Sequence, residues 1–372
     1  MNSPRVAIVH DYLNQMGGAE RVVGVLHKMF PEAPIYTTIV DQDKLLPELR
    51  SASIITTWMQ RIPRITSSFK LYFWLYPLAV RSMNVKNYDI IVSSSSAYAK
   101  GVRKSKGSVH VCYCHAPMRF AWDFDSYMDH TRLPKPLKAI ARAFTLPLRA
   151  WDKANSKRVD RVIANSNVVK GRIKQYYGLD ADVVFPPVDI SRFSVADEQP
   201  DDYYLIVSRL ASYKRLDLAV EACTRLNRKL LIIGDGDDRE RLEQLAGPTV
   251  SFLGRIGDTE VVSHMQRCKA LLFPGLEDFG ITPLEANACG RPVIAYRGGG
   301  ALDTIVPGLN GMYFNTQTAE SFAEALDSFD NHIWNAGAIR EHAEKFNERL
   351  FKEKLLQFVD FTIKERKKDT NR

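Results

Sequence analysis

Glu277 and Glu285 bracket the loop Asp278-Phe279-Gly280-Ile281-Thr282-Pro283-Leu284. The apolar run Ala270-Leu271-Leu272-Phe273 precedes it and Ala286-Asn287-Ala288 follows, so the segment reads strand, loop, helix. A helix start offers unpaired backbone N–H groups and the positive end of a dipole, which favour a bound anion. Carboxylates in the same place repel a phosphate but accept hydrogen bonds from sugar hydroxyls. A nucleotide sugar supplies both kinds of group. Taken alone, the segment reads equally well as a helix start with dipole-matched acids.

Other residues share this pattern of chemistry at a strand's end. Tyr204-Leu205-Ile206-Val207-Ser208 runs into Arg209, with Lys214 five positions on. In open α/β sheets ligands bind beyond the carboxyl ends of strands. An Arg fork with a Lys point charge there can hold a diphosphate and stabilise it as it leaves. A solvated basic cluster is the ordinary alternative. Gly254-Arg255 follows Phe252-Leu253, and Gly234-Asp235-Gly236 follows Leu231-Ile232-Ile233; each is a binding loop or a plain connection. Near the start, Gly17-Gly18 follows a strand and opens a helix from Glu20 to Met29, where glycines either make the turn or let a phosphate approach the backbone. His115 follows the run Val111-Cys112-Tyr113-Cys114 ahead of Pro117; a lone histidine is usually structural, but the strand-end position before a proline-stiffened turn favours a functional imidazole.

The elements that must position these residues are short Val- and Ile-rich runs without polar alternation, as in parallel strands buried on both faces. They are Val6–Val9, Ile35–Thr38, Ile90–Ser93, Val109–Cys114, Arg161–Asn165, Tyr204–Ser208, Lys229–Ile233, Val250–Leu253, Ala270–Phe273 and Pro292–Ala295. Helix-length stretches separate most of them, which predicts an α/β chain of doubly wound parallel sheets, too many strands for one. Pro186-Pro187 marks the boundary. The domains read as 1–188 and 189–345, followed by a terminal helix and charged tail over 346–372.

At 372 residues, with 45% apolar and 25% charged side chains, the chain has room for two cores. No stretch reaches the roughly 20 apolar residues of a membrane span, and no signal peptide is expected at the N-terminus. The five cysteines show no metal spacing and read as reduced, which with the other features points to the cytoplasm. A net charge of +8 points to an anionic partner. Nucleic acid is the weaker candidate, since no recognition module accompanies the charge.

Together, Glu277 and Glu285, Ser208-Arg209-Leu210 with Lys214, and Gly17-Gly18-Ala19-Glu20-Arg21 make the chain resemble the retaining glycosyltransferases of family 4, the glycosyl transferases group 1. The resemblance implies a GT-B architecture: two Rossmann-like domains, the first acceptor-binding and the second nucleotide-sugar-binding, facing across a cleft. A C-terminal helix, from about Glu341 to Lys364, would cross back to the first domain. It implies that Arg209 and Lys214 hold the donor diphosphate, that Glu277 contacts the transferred sugar, and that Glu285 contacts the ribose. The backbone of Phe279, Gly280, Ile281 and Thr282 would cover sugar and phosphates. Gly17 and Gly18 would line the phosphate and acceptor side, and His115 would sit beside the sugar; apart from the resemblance, the strand-end turn at Gly254-Arg255 reads either as backbone offered to a nucleobase or as a plain connection. The segment Tyr113–Asp123 resembles bacterial polysaccharide mannosyltransferases, such as those of O-antigen synthesis, which implies GDP-mannose as donor ahead of a UDP-sugar. No Asp-x-Asp motif stands where a divalent metal would be expected, so no metal or other cofactor is expected. The implied mechanism is same-face attack with the departing phosphate as base; double displacement through Glu277 is the rival.

Two first-half segments read as a surface for an anionic membrane. Phe69–Leu78 is aromatic, and Arg132–Lys153 places Leu137, Ala141, Phe144, Leu148 and Trp151 at helical spacing among Lys135, Lys138, Arg142, Arg149 and Lys153. A core-packed helix with a wet basic face, interrupted at Pro147, is the alternative. Lys100, Arg103, Lys104 and Lys106 add a basic run for headgroups or an acceptor diphosphate. The expected acceptor is a polyprenyl-diphosphate-linked glycan. A non-catalytic carbohydrate-binding protein on the same fold is the reading from a different class.

Overall fold

The computed structural model describes residues 4–124 and 135–370. The chain divides into two units, Met1–Pro187 with Phe351–Arg372, and Val188–Leu350. Val188 donates its N–H to the Phe346 carbonyl and bridges Asn347, so the two ends of the second unit are tied together.

The first unit holds β1 (Val6–His10), β2 (Ile35–Thr37), β3 (Ile54–Thr56), β4 (Ile90–Ser95), β5 (Val109–Cys114), β6 (Arg161–Ala164) and β7 (Asp182–Val183). They form one parallel sheet in the order β3-β2-β1-β4-β5-β6-β7. Both faces are covered: along β1, Ile8 enters one apolar cluster while Ala7 and Val9 enter another. The second unit holds β8 (Tyr204–Val207), β9 (Leu230–Ile233), β10 (Val250–Gly254), β11 (Ala270–Phe273), β12 (Val293–Tyr296) and β13 (Gly311–Phe314), parallel in the order β10-β9-β8-β11-β12-β13. This is the two-sheet, Rossmann-like α/β build of the GT-B class. β3, β7 and β13 escape the apolar-run criterion because they are short edge strands with half-buried or glycine-started sequences.

The last described helix, Glu348–Thr370, belongs to the first unit from Phe351 onward. Phe351, Leu355 and Val359 are buried in the cluster around Ile8, Val92 and Tyr113. Arg161 reaches the same helix through Thr362 and Glu365, at 2.9 and 2.8 Å. Glu341, the expected start, lies instead in a separate helix, Ala336–Glu344, which closes at Lys345.

Two expectations about the basic segments change. The helix Lys135–Ser156 runs straight through Pro147. Its tertiary anchors outweigh the local cost of the proline, about 3 kcal/mol: Leu148 is buried, Arg149 donates to the Ala121 carbonyl at 2.6 Å, and Asp152 is fully buried. Arg132 lies outside the described residues, as do the side chains of Lys135 and Leu137. Of the expected apolar stripe, Leu148 is buried and Trp151 packs half-buried against the same cluster, whereas Phe144 is exposed; the other buried positions are the polar Thr145, Asp152, Asn155 and Ser156. Lys100 is no surface cation: it is 2% exposed and pairs with Asp152 at 2.7 Å. Lys104 pairs with Asp160. Neither is left to attract a ligand from solvent.

Candidate active site

In each sheet the strand order reverses next to the first strand of its unit, between β1 and β4 and between β8 and β11. Loops diverge there, which leaves room for a ligand at the carboxyl edge. Most of the candidate residues lie on these edges.

In the second unit, the loop after β8 carries Arg209 and Lys214, and the loop after β11 carries Glu277. Lys214 donates to Glu277 Oε1, closing the gap between the two loops, with the pair about four-fifths buried. Arg209 donates from Nη2 to the Tyr213 hydroxyl at 2.9 Å, and the Arg209 and Lys214 cations each lie within 6 Å of the Tyr213 ring, at 5.8 and 5.7 Å. Tyr213 therefore spaces the two positive groups. A pocket opens beside them, lined by Ser208, Phe273, Pro274 and Gly275 together with Lys214 and Glu277. Two cations and a carboxylate on a concave edge can neutralise a diphosphate and accept a sugar hydroxyl side by side.

The glutamate loop is shaped by glycines. Gly280 has φ +84°, and a Cβ there would lie 2.6 Å from the Phe273 ring. Gly299, at φ +61°, passes so close that a Cβ would lie 2.2 Å from the Glu277 carbonyl oxygen, to which Gly300 donates its N–H at 2.8 Å. Gly298-Gly299-Gly300 after β12 thus buttresses Glu277, a role the sequence signals only by three glycines at a strand end. Phe279 is buried, and Ile281 and Thr282 open the helix Thr282–Ala288, with Pro283 supplying no N–H. Glu285 is buried on that helix. Gly254 ends β10, its carbonyl accepting from Gly234 N–H at 2.8 Å, and Arg255 beside it is exposed. An Asp-x-Asp spacing does occur on this edge, in Asp235-Gly236-Asp237 after β9, with Asp235 turned to the Gly236 N–H (2.9 Å) and to Arg239 (3.8 Å).

In the first unit, Gly17 precedes the helix Gly18–Met29 and donates its N–H to Glu20 at 2.9 Å. Glu20 is buried and faces His10, at the end of β1. His115 follows β5 and lies 2.7 Å from Ser94 Oγ, at the end of β4. Burial, with His10 nearby, holds the His115 imidazole down to about 3, so it is neutral at physiological pH. The carboxylate of Asp11 takes four backbone N–H groups, from Ser96 and Ala97 (2.6 and 3.0 Å) and from Tyr98 and Ala99 (both 2.6 Å). This nest of amides, of the kind that holds an anion, is filled from within and locks the β1 and β4 loops together. Asp11, Glu20, His10 and Ser94 were not among the expected site residues; a His-Asp pair at the end of the first strand was the available signal.

Comparison with known proteins places these edges in a family. The model for glycosyl transferases group 1 matches residues 188–348, and that for glycosyltransferase family 4 matches residues 16–192. The alpha-1,3/1,6-mannosyltransferase ALG2 of Mus musculus is 26% identical over 96% of both chains, and that of Homo sapiens is 26% identical over 96% of this chain and 95% of its own. Among solved structures, Anabaena HepE in complex with UDP and glucose superposes with a TM-score of 0.71 at 17% identity, covering 96% of this chain and all of that one. Sucrose-phosphate synthase of Thermosynechococcus elongatus gives 0.69 at 17% identity, over 96% and 98%. With both halves matched in order, and with Arg209, Lys214 and Glu277 gathered on one sheet edge, the chain belongs to glycosyltransferase family 4 and is a glycosyltransferase.

Proposed function

We propose that this glycosyltransferase moves mannose from GDP-mannose, with retention, onto a growing lipid-linked glycan of a bacterial surface polysaccharide. The observation that carries the sugar is the mannosyltransferase relatives that align over nearly the whole chain. In the second unit, Arg209 and Lys214 hold the diphosphate, Glu277 a sugar hydroxyl and Glu285 the ribose. Phe279 to Thr282 cover the donor, and Gly254 and Arg255 border the base. The bond from the anomeric carbon to phosphate breaks first, and the cations stabilise the departing charge. The acceptor oxygen attacks from the same face and passes its proton to the leaving phosphate. No metal or other cofactor takes part in this reading.

The acceptor and its location rest on the first unit. Residues 49–88 contain no Asp or Glu, against Arg50, Arg61, Arg64, Lys70, Arg81 and Lys86. Leu71, Trp74 and Leu78 are exposed within that stretch, as are Ile140, Phe144 and Leu146 on the helix Lys135–Ser156. The two segments meet where Phe73 packs 6.1 Å from the Phe144 ring. The one acid of that helix, Asp152, is buried against Lys100. Apolar side chains set among cations suit the interface of an anionic bilayer. Among the described residues no helix is long and apolar enough to cross one. On this reading the protein works at the cytoplasmic face, as a peripheral enzyme meeting a polyprenyl-diphosphate-linked acceptor. A UDP-sugar donor is the second reading, favoured by the UDP-bound HepE likeness.

A panel of GDP-mannose, UDP-glucose, UDP-galactose, UDP-N-acetylglucosamine and GDP-fucose tests this by thermal shift and slow donor hydrolysis, with and without EDTA. Stabilisation by GDP-mannose, insensitive to EDTA and lost in Glu285→Ala, supports it. Selection of a UDP-sugar replaces the donor, and loss of turnover in EDTA overturns the metal-free reading.

A further inference from the structure

A chain of buried polar groups in the first unit ends on His115. One Glu20 carboxylate oxygen accepts from the Gly17 N–H at 2.9 Å, and the other faces His10 Nε2 at 3.8 Å. His10 Nδ1 lies 3.0 Å from the Ser94 carbonyl oxygen and 3.1 Å from Ser94 Oγ. Ser94 Oγ in turn lies 2.7 Å from His115 Nε2. His10, Ser94 and His115 stand at the ends of β1, β4 and β5, three neighbours in the sheet. Glu20, His10 and Ser94 are at most 2% exposed, and His115 9%.

Accounting for hydrogens fixes the protons. A carbonyl oxygen can only accept, so the nitrogen beside it, His10 Nδ1, carries a hydrogen. The Ser94 hydroxyl therefore cannot donate back to His10, and its oxygen is an acceptor on that side. Its own hydrogen goes to His115 Nε2, the acceptor at 2.7 Å. An imidazole that accepts at Nε2 and is not protonated twice is the Nδ1–H tautomer. The electrostatics agree. Burial works to lower the His10 pKa, but the Glu20 carboxylate, with Asp11 and the Ser94 carbonyl, outweighs it and holds His10 above its ordinary value. Burial, with His10 beside it, keeps a proton off His115. The titratable groups acting on His10 are Glu20 and Asp11, and the one acting on His115 is His10.

We propose that Glu20, His10 and Ser94 are positioning residues that fix His115 as a neutral imidazole with its hydrogen on Nδ1, ready to donate to substrate from that atom. Only the last clause rests on the glycosyl-transfer reading above. The tautomer is a property of the unliganded protein.

Full-length protein labelled with ¹⁵N-histidine, without donor at pH 7, gives the test in long-range ¹H–¹⁵N spectra, the His115 signals being those lost in His115→Gln. The expected pattern is a pyrrole-type Nδ1 and an imine-type Nε2. The reverse tautomer, or an imidazolium, overturns the proposal without any variant. Ser94→Ala should convert the single tautomer to a mixture, with Ser94→Cys intermediate; an unchanged single tautomer in folded Ser94→Ala overturns the part given to Ser94. Glu20→Gln keeps an acceptor for Gly17 and should lower the proton affinity of His10 at least tenfold; an unmoved titration removes Glu20 from the chain. With donor supplied, Ser94→Ala should lower kcat about tenfold to a hundredfold, with KM for donor within about twofold. An unchanged kcat sinks the catalytic consequence. A failed donor panel beside the expected tautomer sinks the functional reading alone, and the wrong tautomer in an active enzyme sinks this one alone.

Discussion

Lys214 and Glu277 come from loops after different strands and form one ion pair on the carboxyl edge of the second sheet. The pair joins the group that would meet phosphate to the group that would meet sugar. Each partner sets the other's position before a donor arrives.

The pair is about four-fifths buried, so removing one partner leaves the other group partly desolvated and should cost about 1–3 kcal/mol of stability. Glu277→Gln and Lys214→Met should therefore lower the urea midpoint while the protein stays folded, and lower donor-dependent kcat/KM about a hundredfold or more. Turnover lost only as far as the protein unfolds would recast the pair as structural.

Gly280→Ala should fail on two counts. Its φ of +84° disfavours any side chain, and the new methyl meets the Phe273 ring. A cost of about 1–3 kcal/mol is expected, with turnover reduced further than stability. Gly299→Ala, pressed on the Glu277 carbonyl, should behave alike. Full activity in either variant would mean the glutamate loop need not hold this shape.

Asp152→Asn leaves the Lys100 charge buried, and Asp152 also accepts from Trp122 Nε1 and the Tyr177 hydroxyl, both at 2.7 Å. Urea unfolding should report a loss of about 3–5 kcal/mol. The double variant Lys100→Met with Asp152→Asn, which removes the charge and keeps an acceptor for both donors, should recover most of it. Equal losses in the single and double variants would show that packing, rather than the unpaired charge, sets the cost.

His110 and His115 are both held down to about 3, chiefly by burial, against an unfolded value of 6.5. Below pH 6.5 the unfolded chain takes up protons on both that the folded protein does not. Stability therefore falls with pH across that window, by about 1.4 kcal/mol per pH unit for each histidine. His10, raised, works in the opposite direction: its contribution is complete below 6.5 and disappears as pH rises through its folded pKa. Urea titrations from pH 6.5 to 5 should give the two-histidine slope, and His110→Gln should remove about half of it. A flat profile would place both imidazoles in contact with solvent protons.

Lys138→Glu with Arg142→Glu should lower sedimentation with anionic vesicles more than tenfold, since each cation near such a surface contributes about 1 kcal/mol. Trp74→Ser should weaken binding to a lesser degree. Sedimentation unchanged in both would remove this face from the membrane.

Much of this architecture is legible in the chain because buried parallel strands are continuous apolar runs, as in Ile90–Ser95 and Ala270–Phe273. Arg209, Lys214, Glu277 and His115 stand out as polar residues at the ends of such runs. The short edge strands lack that signal. So does the Glu20–His10–Ser94–His115 chain, whose members are scattered in sequence and joined by strand order alone. Ser93 to Ser96 looks like a low-complexity tract, yet Ser94 bonds two histidines and Ser93 bonds His110 at 2.8 Å. Pro147 misleads in the other direction, because a local penalty is outweighed by anchors far along the chain.

The placement of the helix Glu348–Thr370 in the first unit from Phe351 onward has a consequence for biogenesis. Translation proceeds from the amino end, so the whole of Val188–Leu350 leaves the ribosome before Phe351, Leu355 and Val359 do. The unit begun first is completed last, and its sheet must wait with an uncovered apolar strip while its successor already has every residue it needs. Nascent chains arrested near Leu350 should carry a protease-resistant second unit on a first unit that chaperones still recognise.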